Sequence, residues 1–145
     1  MIKKVITLFV LFLCGCATDY MPYKELLKEH TLVMEKDGVI TTFDQRGIQP
    51  LLKQLEQGTF ENAFVADRII GKAAALLYVY GKVQKVYTPI ISKPAIQVFE
   101  EYGVDYTADQ VIENIKNRKN DGLCPMEMKV LFVSEPAEAY QIFKK

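Results

Sequence analysis

Two stretches of this chain pass from an apolar strand straight into a helix, and together they restrict the fold more than any other feature. They are Val65-Ala66-Asp67-Arg68-Ile69-Ile70-Gly71-Lys72-Ala73-Ala74-Ala75 and Ile90-Ile91-Ser92-Lys93-Pro94-Ala95. Strands joined through helices lie parallel, and a parallel sheet has to be covered on both faces. Where strand ends meet helix starts, unpaired backbone N–H groups and the positive end of the helix dipole face a shared crevice. The expectation is an α/β chain with a site at those two turns.

The rest of the sequence supplies the other elements. Pro22 suits the first turn of a helix whose Leu26 and Leu27 face inward. Thr31 to Lys36 and Val39 to Phe43 flank Asp37-Gly38, the strongest hairpin signal in the chain. Residues 49–57 form a helical stripe of Leu51, Leu52 and Leu55 that ends at Gly58. The strand over 63–70 leads into a helix over 71–80 that is small and apolar all round, hence buried. The strand over 85–91 contains Pro89, which points to a bulge or an edge. Ser92 then caps a helix that runs to Tyr102 and stops at Gly103. Val104-Asp105-Tyr106 is a short strand, and Thr107-Ala108-Asp109-Gln110 has the form of a capping box for a helix through Ile115. Pro125 to Phe132 and Pro136 to Lys144 complete the helices, the last opened by Ser134. The expected architecture is a three-layer α/β/α sandwich around a mixed sheet of about five strands, with hairpin and parallel strand-helix units.

The first residues carry an address instead of a fold. Met1-Ile2-Lys3-Lys4 is a short basic start, residues 5–13 are apolar except for Thr7, and Leu13-Cys14-Gly15-Cys16 follows. That is the layout of a signal peptide, too short to span a bilayer. The last four residues resemble the lipobox of bacterial lipoproteins, in which the final Cys is acylated and becomes the new N-terminus. The expected division is a leader over 1–15, a tether over 16–22 and one domain over 23–145. The expected location is the cell envelope, with the chain on the membrane through lipidated Cys16.

Removal of the leader takes Lys3 and Lys4, so sixteen of the eighteen Lys and Arg remain against eighteen Asp and Glu. No basic field is left to recruit nucleic acid. Cys14 leaves and Cys16 is acylated, so Cys124 is the one free thiol and no intrachain disulfide can form. No sequence feature sets an oligomeric state.

The candidate site residues follow from the two turns. Lys72 and Ser92 stand at the helix starts, where each could hold an anionic or strongly polar group, although a solvated lysine and a plain N-cap also explain them. Asp67 sits inside an apolar strand, where a carboxylate is costly unless paired or solvated; Lys72 and Arg46 are the available cations. Arg46 is on a polar loop that could fold over the crevice. Cys124 occupies the N-cap of the helix carrying Glu127, where the helix field favours a thiolate, so the pair is a candidate catalytic couple. The same spacing fits a capping box, and the one histidine, His30, reads as a helix cap.

Taken together, Asp44-Gln45-Arg46-Gly47-Ile48, Ala66 to Ala75, Ile91-Ser92-Lys93-Pro94-Ala95, Asn117-Arg118 and Gly122-Leu123-Cys124-Pro125-Met126-Glu127 resemble the cytidine-deaminase-like superfamily. The resemblance is closest to one of its branches without zinc, a family whose domain has no assigned function. It implies a deaminase-like fold with a pocket at the two turns. Working members carry His or Cys and a proton-shuttling Glu at the first helix start, and two Cys at the second. Here those places read Lys72-Ala73-Ala74, then Ser92 and Ala95, so the ligand set and the Glu are missing. One free Cys and one remote His also fall short of the three or four ligands zinc needs.

The expected function is therefore metal-free and without a cofactor: binding of a small polar or anionic molecule, nucleotide-like ligands included, by Lys72, Ser92, Asp67 and Arg46. Two alternatives stand beside it. One is a metal-free enzyme using Cys124 with Glu127 or Asp67 as helper, and the other is an interaction module in the cell envelope.

Overall fold

A computed structural model describes residues 4–6 and 19–145. Most of the expected leader, Cys16 with its expected acylation and the first part of the expected tether lie outside the described residues. In chain order the elements are β1 (Lys4–Ile6), α1 (Met21–Glu29), β2 (Leu32–Lys36), β3 (Val39–Phe43), α2 (Gln49–Glu56), β4 (Phe64–Asp67) and β5 (Ile69–Ile70). There follow α3 (Lys72–Tyr80), β6 (Lys85–Ser92), α4 (Lys93–Tyr102), β7 (Asp105–Ile112), α5 (Pro125–Lys129) and α6 (Pro136–Lys144). No helix among the described residues is long and apolar enough to cross a membrane.

The hairpin forms where Asp37 and Gly38, at φ 53° and 77°, supply the two left-handed positions of a tight turn. Its strand β2 pairs antiparallel with β4, and β4, β5, β6 and β7 run parallel. The sheet is mixed and has seven strands, not about five. Two differences account for this: β1, which falls within the residues expected to form the leader, adds an edge antiparallel to β3, and the expected strand over 63–70 divides into β4 and β5 at Arg68.

That division has a local cause in the neighbouring strand. Phe64 pairs with Lys85 and Ile69 with Ile90, so one register runs through the break and sets Arg68 opposite Pro89. Proline brings no N–H to the ladder, and the ladder opens there. Pro89 was expected at a bulge or an edge, but β6 is central, between β5 and β7; the opening in the ladder is what accommodates it.

The helix expected over 107–115 does not form, because β7 continues to Ile112. Tyr106 and Ala108 pack on the main core, while Thr107 faces the Tyr20 hydroxyl and Asp109 accepts a hydrogen bond from Tyr87. Alternation along the strand thus uses the hydroxyl and carboxylate that resembled helix caps. Helix α5 is also shorter than expected, stopping at Lys129, and Glu135 in place of Ser134 precedes α6.

The main core lies on one face of the sheet, beneath α2, α3, α4 and α6. Helix α3 sits at its centre, with Ala75, Leu76, Leu77 and Tyr78 fully buried. The opposite face carries Val33, Ala66 and Tyr87 under α1. Tyr20, just before α1, stacks on Tyr87 at 4.8 Å, and Arg68 caps the other end by donating to the carbonyls of Leu27 and Lys28. Helix α1 therefore runs alongside β4 from its start toward its end.

Candidate functional site

The break between β4 and β5 opens into a cavity of about 330 Å³ at the ends of the parallel strands. Its walls come from the start of β2, the loop after β3, the first turns of α2 and α3, and the segment leading into α5. Leu32, Ile48, Leu51, Ile69 and Ile115 make much of it apolar, and the polar side chains reaching it include Arg46, Asp67 and Glu127. A largely apolar pocket with a few converging polar groups is the usual form of a small-molecule site.

Arg46, Asp67, Cys124 and Glu127 all line this one cavity, and Lys72 and Ser92 do not. Lys72 turns its ammonium away to donate to the Leu131 carbonyl at 3.1 Å. Ser92 is completely buried, and its hydroxyl accepts the Ala95 N–H at 3.3 Å. It acts as an N-cap, the simpler of its two sequence readings.

Glu127 departs most from its expected role. Its spacing suggested a capping box with Cys124, but the Cys124 N–H donates to the Ile115 carbonyl instead. The Glu127 carboxylate crosses to α3, where Oε2 accepts the Lys72 N–H at 2.9 Å and Oε1 the Ala73 N–H at 3.0 Å. An internal anion thereby holds the helix start that sequence reasoning had left open for a ligand. Gly71 makes room for it, since a Cβ there would lie 2.5 Å from Glu127 Oε1 and 2.8 Å from Ile115.

Asp67 finds its partner in a tyrosine, not in the cations expected. The Tyr78 hydroxyl donates to Asp67 Oδ2 at 2.5 Å. Burial raises the Asp67 carboxyl from 3.8 to about 6; the Tyr78 hydroxyl, the backbone N–H groups of Ile69 and Arg68 and the Arg68 charge pull the other way without cancelling it. Burial, with the same pairing adding to it, pushes the Tyr78 phenol well above its ordinary value. Arg46 is exposed and makes no hydrogen bond or ion pair to the described residues, so its guanidinium is available at the mouth. His30 ends α1, its N–H on the Leu26 carbonyl and its ring 2.5 Å from Asp44. Tyr78 and Gly71 escaped sequence reasoning: one lies in a uniformly apolar helix, and the other reads as an ordinary helix boundary.

The two helix starts do not suit zinc. Lys72 is committed to a carbonyl, Ser92 is buried as a cap, and Ala95 has no donor atom on its side chain. Among the described residues no group of three His, Cys, Asp or Glu side chains is placed to hold a metal ion.

An α/β domain with a mixed sheet and a pocket at the end of its parallel strands defines the class of this protein. More narrowly, the chain belongs to the TM1506 family, a domain of unknown function (DUF1893), whose model matches residues 23–145. It is similar to the crystal structure of a DUF1893 family protein (TM1506) from Thermotoga maritima, with a TM-score of 0.74 and 24% identity over 92% of this chain and 94% of that one. That likeness concerns the fold. No curated protein matches the chain.

Proposed function

We propose that this protein is a lipid-anchored, metal-free domain with a deaminase-like fold that binds a small polar or anionic molecule in the cavity beside β4 and β5. The observation that carries the reading is the meeting of Arg46 and Asp67 in one largely apolar pocket. Arg46 offers an uncommitted guanidinium for an anionic group. Asp67, mostly ionised at neutral pH with a pKa of about 6, accepts hydrogen bonds from an N–H edge. The apolar walls suit a planar ring, so a nucleotide-like molecule meets all three demands. Anchoring rests on the leader and on Cys16.

A thermal-shift screen of the mature domain with nucleosides and nucleoside monophosphates tests the binding. Ligands that raise the melting temperature should lose that effect in Arg46→Ala and Asp67→Asn. Undiminished shifts in both variants, or no ligand in the screen and none retained in native mass spectrometry, would overturn the reading.

Catalysis by Cys124 has one observation in its favour, its place in the same cavity. Glu127 is a poor helper, because both its oxygens already accept backbone N–H groups of α3. Iodoacetamide labelling separates the two readings: an activated nucleophile reacts with an apparent pKa well below about 8.5.

A further inference from the structure

We propose that Thr31 is the positioning residue for Arg46: its hydroxyl holds the loop after β3 so that the guanidinium stands at the pocket mouth in a fixed relation to Asp67. This rests on the ligand-binding reading above and deepens it, by naming what arranges the two polar groups the ligand would meet. The start of β2 makes both connections. Leu32, its first residue, pairs with Asp67 on one side and with Phe43 on the other. Thr31 is one step farther along the chain, half-buried, and lines the same cavity.

The Thr31 hydroxyl oxygen lies 2.9 Å from the Phe43 carbonyl and 2.7 Å from the Gln45 carbonyl. A hydroxyl has one proton to donate. The Phe43 carbonyl already accepts the Thr31 N–H at 2.8 Å, so that proton serves Gln45, the residue just before Arg46. The His30 ring, 2.5 Å from Asp44, fastens the loop one residue earlier. Beyond Arg46 the chain turns at Gly47, at φ 74°, and Ile48 is buried in the main core. The backbone is therefore held on both sides of Arg46 while the guanidinium itself stays uncommitted. A loop ordered in advance spares the ligand the entropy of ordering it on binding. Fixing the backbone of one residue corresponds to roughly tenfold in affinity.

Thr31→Val keeps the shape of the side chain and removes the hydroxyl. Gln45 is exposed, so water replaces the lost donor and the urea midpoint should stay near that of the parent. Nitrogen-15 relaxation on the full chain should give order parameters of about 0.85 for the Gln45, Arg46 and Gly47 amides in the parent and below about 0.6 in Thr31→Val. Calorimetric titration with the four ribonucleoside monophosphates as probes reads the binding. The tightest of them should weaken roughly tenfold in Thr31→Val and keep its parental affinity in Thr31→Ser. Added to Arg46→Ala, Thr31→Val should cost nothing more, because the hydroxyl acts through the guanidinium. Parental affinity in Thr31→Val, a loop still rigid there, or an equal loss with and without Arg46→Ala overturns the positioning role and leaves the pocket reading standing. A parent chain that binds none of the four removes the pocket reading, and the positioning role with it.

Discussion

The Glu127 carboxylate accepts the Lys72 backbone N–H at 2.9 Å across 55 residues of sequence, so a five-residue helix fastens the start of the central one. Glu127→Ala would leave the Ala73 N–H, which is buried, without an acceptor. Losing such a partner costs about 1 to 3 kcal/mol. Glu127→Gln keeps one acceptor oxygen and should lose less. Urea unfolding of the two variants gives the comparison, and equal stability of Glu127→Ala and the parent would remove this fastening role.

Gly71 and Glu127 should be energetically coupled. A methyl group at position 71 meets Glu127 Oε1 at 2.5 Å, so Gly71→Ala must push the carboxylate off the helix start. Overpacking of this kind costs roughly 1 to 3 kcal/mol. In a Glu127→Ala background the carboxylate is gone and only the Ile115 contact at 2.8 Å remains, so the same substitution should cost less. A double-mutant cycle measures this, and strictly additive effects would mean that the contact is not limiting.

Asp67 makes stability depend on pH. Its folded pKa of about 6 lies above its ordinary 3.8, so the folded state binds the proton more tightly than the unfolded one. The resulting contribution is complete below pH 4 and is lost as pH rises through 6, an effect of about 2 to 3 kcal/mol at most. Asp67→Asn cannot ionise and should abolish this component. Its stability relative to the parent should therefore improve between pH 4 and pH 7. A difference that stays constant over that range would show that Asp67 does not titrate in this window.

Local chemistry made some elements legible and distance hid others. Asp37-Gly38 announced the hairpin because two positive φ angles are a local demand. Ser92 marked the start of α4 through its side-chain cap and Gly103 its end through another positive φ. Thr107 to Gln110 misled because Thr and Asp serve equally as helix caps and as alternate residues of a strand; pairing with β6 decided between them. Arg46, Asp67, Cys124 and Glu127 were each recognisable, but their meeting in one pocket depends on how the loop after β3 and the segment before α5 fold back. The spacing of Cys124 and Glu127 pointed to a local bond. The competing partner, the α3 start, has no sequence proximity to reveal it.

Arg46 should separate binding from stability. It is exposed and has no partner among the described residues, so Arg46→Ala removes no folded-state contact that holds the domain together. Surface substitutions of this kind usually change stability by no more than about 0.5 kcal/mol. An anionic ligand, in contrast, loses the uncommitted Arg46 guanidinium at the pocket mouth, worth about 1.5 to 3 kcal/mol for a hydrogen bond to a charged group. That corresponds to a weakening of roughly 10- to 150-fold. Arg46→Lys keeps the charge but not the two-pronged geometry and should fall between the parent and Arg46→Ala. Calorimetric titration with the ligand found in the screen, beside urea unfolding of the same three proteins, reads both quantities. A loss of stability in Arg46→Ala that matched its loss of affinity would assign this arginine to the fold and take it out of the site.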